Sequence, residues 1–175
     1  MILLKKKVRI ETDRMSLRLP QHGDFRAWSS LRLSSRDFLA PWEPKWSEDH
    51  LTRKRFTNRV DWAQRSISSG SALPLFLIRR RDDAILGALT LDNIRRGPAQ
   101  SGSVGYWIGQ PHARHGYMRE ALEAVVQHAF SQLGLSRLEA ACLEANAPSR
   151  GLLERAGFKY EGVAQSYLQI NGRWR

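Results

Sequence analysis

The sequence predicts an α/β fold of the α+β kind: a mixed, mostly antiparallel central sheet flanked by helices, in a single domain over residues 1–175. Three observations lead there. The chain has 175 residues, 42% hydrophobic and 26% charged, which suits one core, because cores commonly stop growing only beyond about 250 residues. Its apolar spacing switches repeatedly between a period of two and a period near 3.6. The resulting order is βααβββαβαβ with a further terminal strand, so antiparallel pairing comes first and an α/β crossover second.

Met15, Leu17 and Leu19 alternate with Ser16 and Arg18, as in a half-buried strand that Pro20 ends. Asp24 is the expected N-cap of a first helix carrying Phe25, Trp28 and Leu31. Pro41 and Pro44, interleaved with Trp42 and Trp46, preclude a regular helix, and tryptophans in such a loop pack on the core or line a cleft. Ser47, followed by Glu48 and Asp49, is the expected cap of a longer helix with Leu51, Phe56, Val60, Ala63 and Ile67 on its apolar face, stopped at Ser68–Ser71. Leu75–Ile78 and Ala84–Leu91 read as a hairpin, and Val104–Ile108 as a third antiparallel strand. Met118, Ala121, Leu122, Val125, Val126, Ala129, Phe130 and Leu133 recur at intervals of three and four, marking a helix with Gly134 at its C-terminal end. Leu138–Leu143 is the expected buried strand, with Cys142 inside it as a small hydrophobe. Pro148 opens a helix that Gly157 closes, and Phe158–Gly162 and Tyr167–Ile170 are the expected last strands.

The balance of 28 basic against 17 acidic residues gives a formal charge of +11. It is lopsided, with twenty basic and eleven acidic side chains in residues 1–100 and eight and six after them. The basic runs are Lys5–Lys7 with Arg9, then Arg53, Lys54, Arg55 and Arg59, then Arg79–Arg81, and Arg95 with Arg96. Such a field favours polyanionic partners, from phosphorylated cofactors to RNA, or serves as a solvated surface. The Ile2–Leu4 run is too short for a signal peptide, and no stretch reaches the length that spans a bilayer. A single cysteine supports neither a disulfide framework nor a zinc site. The expectation is a cytoplasmic protein with no membrane association and no metal.

The chemistry is expected where Ala113-Arg114-His115-Gly116-Tyr117-Met118 joins a strand to the clearest helix. A helix N-terminus offers free N–H groups and about half a positive charge, and glycine lets backbone approach a phosphate. Neither a P-loop nor a dinucleotide fingerprint is present, so ATP and NAD chemistry are not expected. Thirty residues after Gly116, Asn146-Ala147-Pro148-Ser149 opens the next helix.

Together, Tyr106-Trp107-Ile108, the Ala113–Met118 loop, Glu120-Ala121-Leu122, Asn146, Ser149, Leu152-Leu153, Gly157-Phe158 and Glu161-Gly162 resemble the acetyl-CoA-binding half, about residues 103–163, of the GNAT N-acetyltransferases. Thr12–Arg18, Gly116-Tyr117-Met118, Tyr160-Glu161-Gly162 and Ile170–Trp174 are similar to the RimJ and RimL branch, which acetylates N-termini of ribosomal proteins. The resemblance spans residues 12–174. It implies a sheet splayed between the strands around Ile108 and Leu143, with acetyl-CoA as co-substrate. By the same resemblance, Arg114, His115, Gly116, Tyr117 and Met118 hold its pyrophosphate. Trp107 and Ile108 lie on the strand that binds the pantetheine, with Asn146 and Arg155 completing the cofactor set. Ser149 matches a proposed general acid and Glu161 a proposed general base, and Trp42 is expected on the acceptor side.

Each role has a plainer alternative. Asn146 suits an N-cap, Ser149 a first-turn cap, and Glu161 a surface ion pair; Tyr106 or Tyr160 could instead supply the proton, and His112 and His115 read as surface groups. Ala113 departs from the family's Gln or Arg. The chain ends at Arg175, where the family continues into one more strand, so the last strand of the sheet is expected to be missing. The implied activity is acetyl transfer to the α-amine of a protein, by direct attack on the thioester. The rivals are a small amine or amino acid as acceptor, and a non-catalytic ribosome- or RNA-associated module that uses the basic runs.

Overall fold

The computed structural model describes residues 8–175; the Ile2–Leu4 and Lys5–Lys7 runs lie outside the described residues. The elements are β1 (Arg9–Glu11), β2 (Met15–Arg18), α1 (Phe25–Ser34), α2 (Arg36–Leu39), α3 (Arg53–Ser69), β3 (Leu73–Arg79), β4 (Ile85–Arg95), β5 (Ser101–Ile108), α4 (Tyr117–Ser131), β6 (Arg137–Ala140), α5 (Ala147–Arg155), β7 (Gln169–Ile170) and β8 (Arg173–Trp174). Strands β1 to β6 form one sheet in sequence order. Every pairing in it is antiparallel except β5 with β6, which is parallel because α4 carries the chain back across the sheet. Strands β7 and β8 form a separate hairpin. Among the described residues no strand pairs with the outer edge of β6.

Strand β3 reads as a continuous apolar run because both of its faces are covered. Leu75 and Leu77 join Met15, Leu17, Leu89 and Leu91 under Leu122 and Val125 of α4. Phe76 and Ile78 point the other way, into a second core with Trp28 of α1 and Phe56 and Val60 of α3. Phe56 is its centre, its ring 4.9 Å from that of Trp28 and 6.3 Å from that of Phe76. The sheet therefore separates a layer holding α4 from a layer holding α1 and α3.

The helix ends differ from expectation at two caps. Asp24 does not cap α1 with its side chain. Its carboxylate takes both Arg18 nitrogens at 2.8 Å and the Gln21 N–H at 2.8 Å, closing a 3₁₀ turn over His22–Asp24. Helix α3 starts at Arg53 rather than after Ser47, because Thr52 Oγ1 accepts the Arg55 N–H at 3.3 Å, while Ser47 is satisfied by Asp49 at 2.7 Å.

Several expected strands are shorter. The strand expected over Leu138–Leu143 stops at Ala140, leaving Cys142 exposed rather than buried. Phe158–Gly162 forms no strand: Glu161 is drawn to Arg137, and Tyr160 is 64% exposed. Of Tyr167–Ile170 only Gln169 and Ile170 form strand, paired with Arg173 and Trp174, while Tyr167 and Leu168 bond the main chain of Arg175. Strand β1, with Ile10 its sole apolar residue between Arg9 and Glu11, carried no strand signal.

Candidate active site

Strands β5 and β6 pair from Ser101 with Arg137 to Val104 with Ala140 and no further. Beyond Val104, β5 runs on through Gly105–Ile108 while the other chain leaves as an irregular segment toward α5. The strands thus part where a splay was expected, and the backbone of Gly105–Ile108 loses its β6 partner on that side. Across this gap the Tyr106 hydroxyl and Ser149 Oγ lie 2.7 Å apart. Burial pushes the Tyr106 phenol up, with the Ser149 hydrogen bond a smaller and opposing influence.

Ser149 is held there by its helix. Asn146 is the N-cap of α5, and its Oδ1 accepts the Ser149 N–H at 3.2 Å; its amide NH₂ donates to no protein acceptor among the described residues. Arg155, on the last turn of α5, folds its guanidinium back over Gly151 and is exposed.

The second part of the site is the entry to α4. Arg114 (φ 62°) and Gly116 (φ 80°) are both left-handed, flanking His115, and Gly116 as N-cap supplies no side chain to the first N–H groups of the helix. Left-handed residues at such a turn swing successive N–H groups to one side, making an anion-binding concavity. The left-handed conformation is costly at Arg114 and is natural at Gly116. His115 Nδ1 lies 2.7 Å from the Ala113 carbonyl, so the ring is turned back onto its own loop. Met118 is buried in the main core and Tyr117 packs beside His115, so this stretch offers a ligand main chain more than side chain.

Sequence reasoning missed what fixes the loop. Arg14, between β1 and β2, donates from Nε to Glu120 at 2.6 Å and from its backbone N–H to the same carboxylate at 2.9 Å. Its Nη1 reaches the His115 carbonyl at 2.9 Å, and its guanidinium lies 4.4 Å from the Tyr117 ring centroid. A Cβ on Gly116 would stand 3.3 Å from Arg14 Nη2. The signal available was Glu120 in the first turn of α4, a carboxylate needing a cation, but nothing local pointed to a partner 106 residues away.

Two expected residues lie elsewhere. Glu161 is exposed and takes both Arg137 Nη atoms at 2.8 and 2.5 Å, at the end of β6 opposite the gap. That guanidinium holds its carboxyl below the ordinary range, so the structure does not join Glu161 to Ser149. Trp42 ends a 3₁₀ turn over Ala40–Trp42 and is 37% exposed. The cleft on that face, about 440 Å³, is lined instead by Trp28, Lys45, Ser47, His50, Arg55, Asn58, Arg59 and Trp62.

Beside this cleft Arg32 is almost wholly buried and grips Glu43 at 2.7 and 2.6 Å. Glu43 also accepts from Trp46 Nε1 at 2.8 Å, and its carbonyl accepts the Asn171 N–H of the β7–β8 turn at 2.8 Å. Arg32 lies over the rings of Trp46 and Trp107, 4.3 and 4.7 Å from their centroids, and Nη2 is 3.1 Å from His50 Nε2. Burial first, then the Arg32 charge, brings His50 down to about 4, so the ring is neutral and accepts from Arg32. Trp107 thus faces this layer, while Ile108 packs against the main core. No cluster of His, Cys, Asp and Glu suited to a metal occurs among the described residues, and no helix among them is long and apolar enough to cross a membrane.

Residues 14–159 match the family model described as an acetyltransferase (GNAT) domain. The chain is 34% identical over 169 residues to the [ribosomal protein uS5]-alanine N-acetyltransferase of Escherichia coli K12, covering 97% of this chain and 87% of that protein. Among solved structures it superposes on ribosomal-protein-S5-alanine acetyltransferase of Vibrio fischeri with a TM-score of 0.88, at 30% identity and covering 95% and 91% of the two chains. It superposes on Mycobacterium smegmatis RimJ, in complex with CoA-disulfide, with a TM-score of 0.90, at 28% identity and covering 98% and 85%. Match, fold and parted strands agree: the chain belongs to the GNAT N-acetyltransferases, enzymes that use acetyl-CoA.

Proposed function

We propose that the enzyme transfers acetyl to the N-terminal α-amine of a protein, with ribosomal proteins as the acceptor class, and that Ser149 with Tyr106 manages the leaving proton. The observation that carries this reading is the Tyr106–Ser149 hydrogen bond, 2.7 Å, at the point where β5 and β6 part. The acceptor class rests on the relatives, named for acetylating the alanine of uS5.

The residues fit the donor. The uncapped N–H groups from Arg114 to Met118 suit a diphosphate, the unpaired edge of Gly105–Ile108 suits the amides of a pantetheine arm, and the free Asn146 amide suits its carbonyl. Acetyl-CoA supplies an activated thioester. Ser149 Oγ–H is placed to hand a proton to the departing sulfur, and the Tyr106 hydroxyl to replace it; burial keeps that phenol protonated in neutral solution.

The scarcity of a base points to an α-amine. Glu161 is engaged by Arg137 and held below its ordinary pKa, and we assign it to anchoring the segment after α5. An α-amine, with a pKa near 8, is roughly a third neutral at pH 7.5, whereas a lysine is about a thousandth neutral. An enzyme that leaves the proton to water can acetylate the first and hardly touch the second. The test is to supply acetyl-CoA with peptides beginning Ala or Ser, and with the same peptides blocked at the N-terminus and bearing a free lysine. Thiol release and mass spectrometry are expected to find one acetyl on the α-amine. Acetylation of the blocked peptides or of small amines alone contradicts the reading.

A further inference from the structure

The cleft between α1, α3 and the loop after α2 contains more cation than the protein itself uses. Its lining has three cationic side chains, Lys45, Arg55 and Arg59. Arg55 is taken by Asp49 at 2.7 Å. Neither Lys45 nor Arg59 forms an ion pair among the described residues, and the half-buried carboxylate of Glu43 is held by Arg32 through both oxygens.

Arg59 stands over the Trp28 ring at 5.8 Å. The Arg59 side chain is exposed to solvent, and the Arg32 charge repels it. His50, neutral because burial and the same cations oppose its protonation, adds no charge but no neutralisation either. Trp28 and Trp62 wall the recess, and Ser47 and Asn58 add neutral hydrogen-bonding groups. The wall is tied to the reaction centre: His50 contacts Arg32, Arg32 covers Trp107, and Trp107 lies in the stretch of β5 without a β6 partner, next to Tyr106.

We infer that this cleft is an acceptor subsite that selects polypeptides carrying an acidic side chain shortly after the acetylated N-terminus, with Arg59 and Lys45 taking the carboxylate. The inference rests on the proposed acceptor class and specifies it. The two free cations share one recess, which fits one or two carboxylates; a nucleic acid backbone calls for a track of cations. Tryptophan walls give an extended peptide apolar contact on either side of the charged group.

The test uses binding, so that it stands apart from turnover. Two N-terminally acetylated product peptides, identical except for Glu–Glu or Gln–Gln at the third and fourth positions, are titrated into the enzyme by calorimetry at 50 and 200 mM salt. The Glu peptide is expected to bind about tenfold more tightly at low salt. The preference is expected to vanish in the Lys45→Gln, Arg59→Gln double variant and to survive in Arg81→Gln, Arg95→Gln, which removes the same charge from exposed positions elsewhere. Equal affinities in the wild type, loss of the preference in both double variants, or tighter binding of a short oligoribonucleotide than of the Glu peptide overturns the inference. Should the Glu peptide bind selectively while its free-amine counterpart is never acetylated, the subsite stands and the proposed acceptor reaction falls.

Discussion

The side of the molecule proposed to hold the donor, around β5, α4 and α5, is built from main chain, whereas the side proposed to hold the acceptor, around α1, α3 and the 40–52 loop, is built from side chains. On the donor side the working parts are left-handed Arg114 and Gly116, the bare start of α4 and the unpaired edge of β5. On the acceptor side they are Arg32 buried on Glu43, the ring stack of Trp46 on His50 at 4.5 Å, and the unpaired Lys45 and Arg59. Backbone sites tolerate changes of side chain and keep a ligand; side-chain sites change specificity with one residue. One enzyme can thus hold its donor constant while its acceptor varies.

The contrast is broken most severely at the Tyr106–Ser149 pair, which lies between the two sides. Ser149→Ala and Tyr106→Phe are each expected to lower kcat by about a hundredfold with CoA affinity unchanged. If the two act as a unit, the double variant loses little more than either single; single-turnover kinetics of the four proteins decides this, and full additivity would separate their roles.

A smaller effect is expected from the donor-side brace. Arg14→Ala frees the loop from Glu120 and His115 and should weaken CoA binding about fivefold, the equivalent of about 1 kcal/mol of loop ordering. Glu120→Gln should move in the same direction, and KM for the acceptor should stay put in both. A change in acceptor KM alone would place Arg14 on the wrong side of the comparison.

On the acceptor side the expected effect is one of pH. His50 titrates at about 4 in the folded chain and near 6.5 when unfolded. Between those values the unfolded chain binds the extra proton, so stability present above pH 6.5 is lost as the pH falls toward 4. The melting temperature of the wild type should drop over that range more than that of His50→Gln. The affinity of the cleft for an acetylated acidic peptide, which has no α-amine to titrate, should be flat from pH 5.5 to 8, because the cleft charge does not change there.

The smallest change is expected from Glu161→Gln. A residue committed to Arg137 should leave kcat within about twofold, where a general base would cost a hundredfold or more. A loss of that size would return Glu161 to the reaction.

The same division explains what could be read in the sequence. The elements of the proposed donor side were legible because each is a local pattern: a Gly at the start of a periodic helix, an Asn three residues before a Ser at the next. Tyr106 and Ser149 were both visible as candidates, but their meeting depends on β5 outrunning β6 by four residues, a pairing no local pattern reveals. The acceptor side was hidden for a related reason. Trp42 stood out beside prolines, yet the walls of the cleft are Trp28, which read as part of a helix face, and Trp62, which no pattern singled out. Arg32 carried no signal in the sequence, and only the fold brings Glu43, Trp46 and Trp107 around it. Strand β1 was missed and β6 was read past its end at Ala140 because edge strands are held by pairing and not by apolar alternation.

The central claim is that a backbone cradle at the start of α4 seats the acyl donor. It is tested most directly by titrating CoA into the wild type and into Gly116→Ala by calorimetry. A Cβ at φ 80° costs about 1–2 kcal/mol and would stand 3.3 Å from Arg14 Nη2, so the account predicts binding to the wild type and roughly tenfold weaker binding to the variant. Equal affinity in the two proteins, or no heat with the wild type at millimolar CoA, would contradict it.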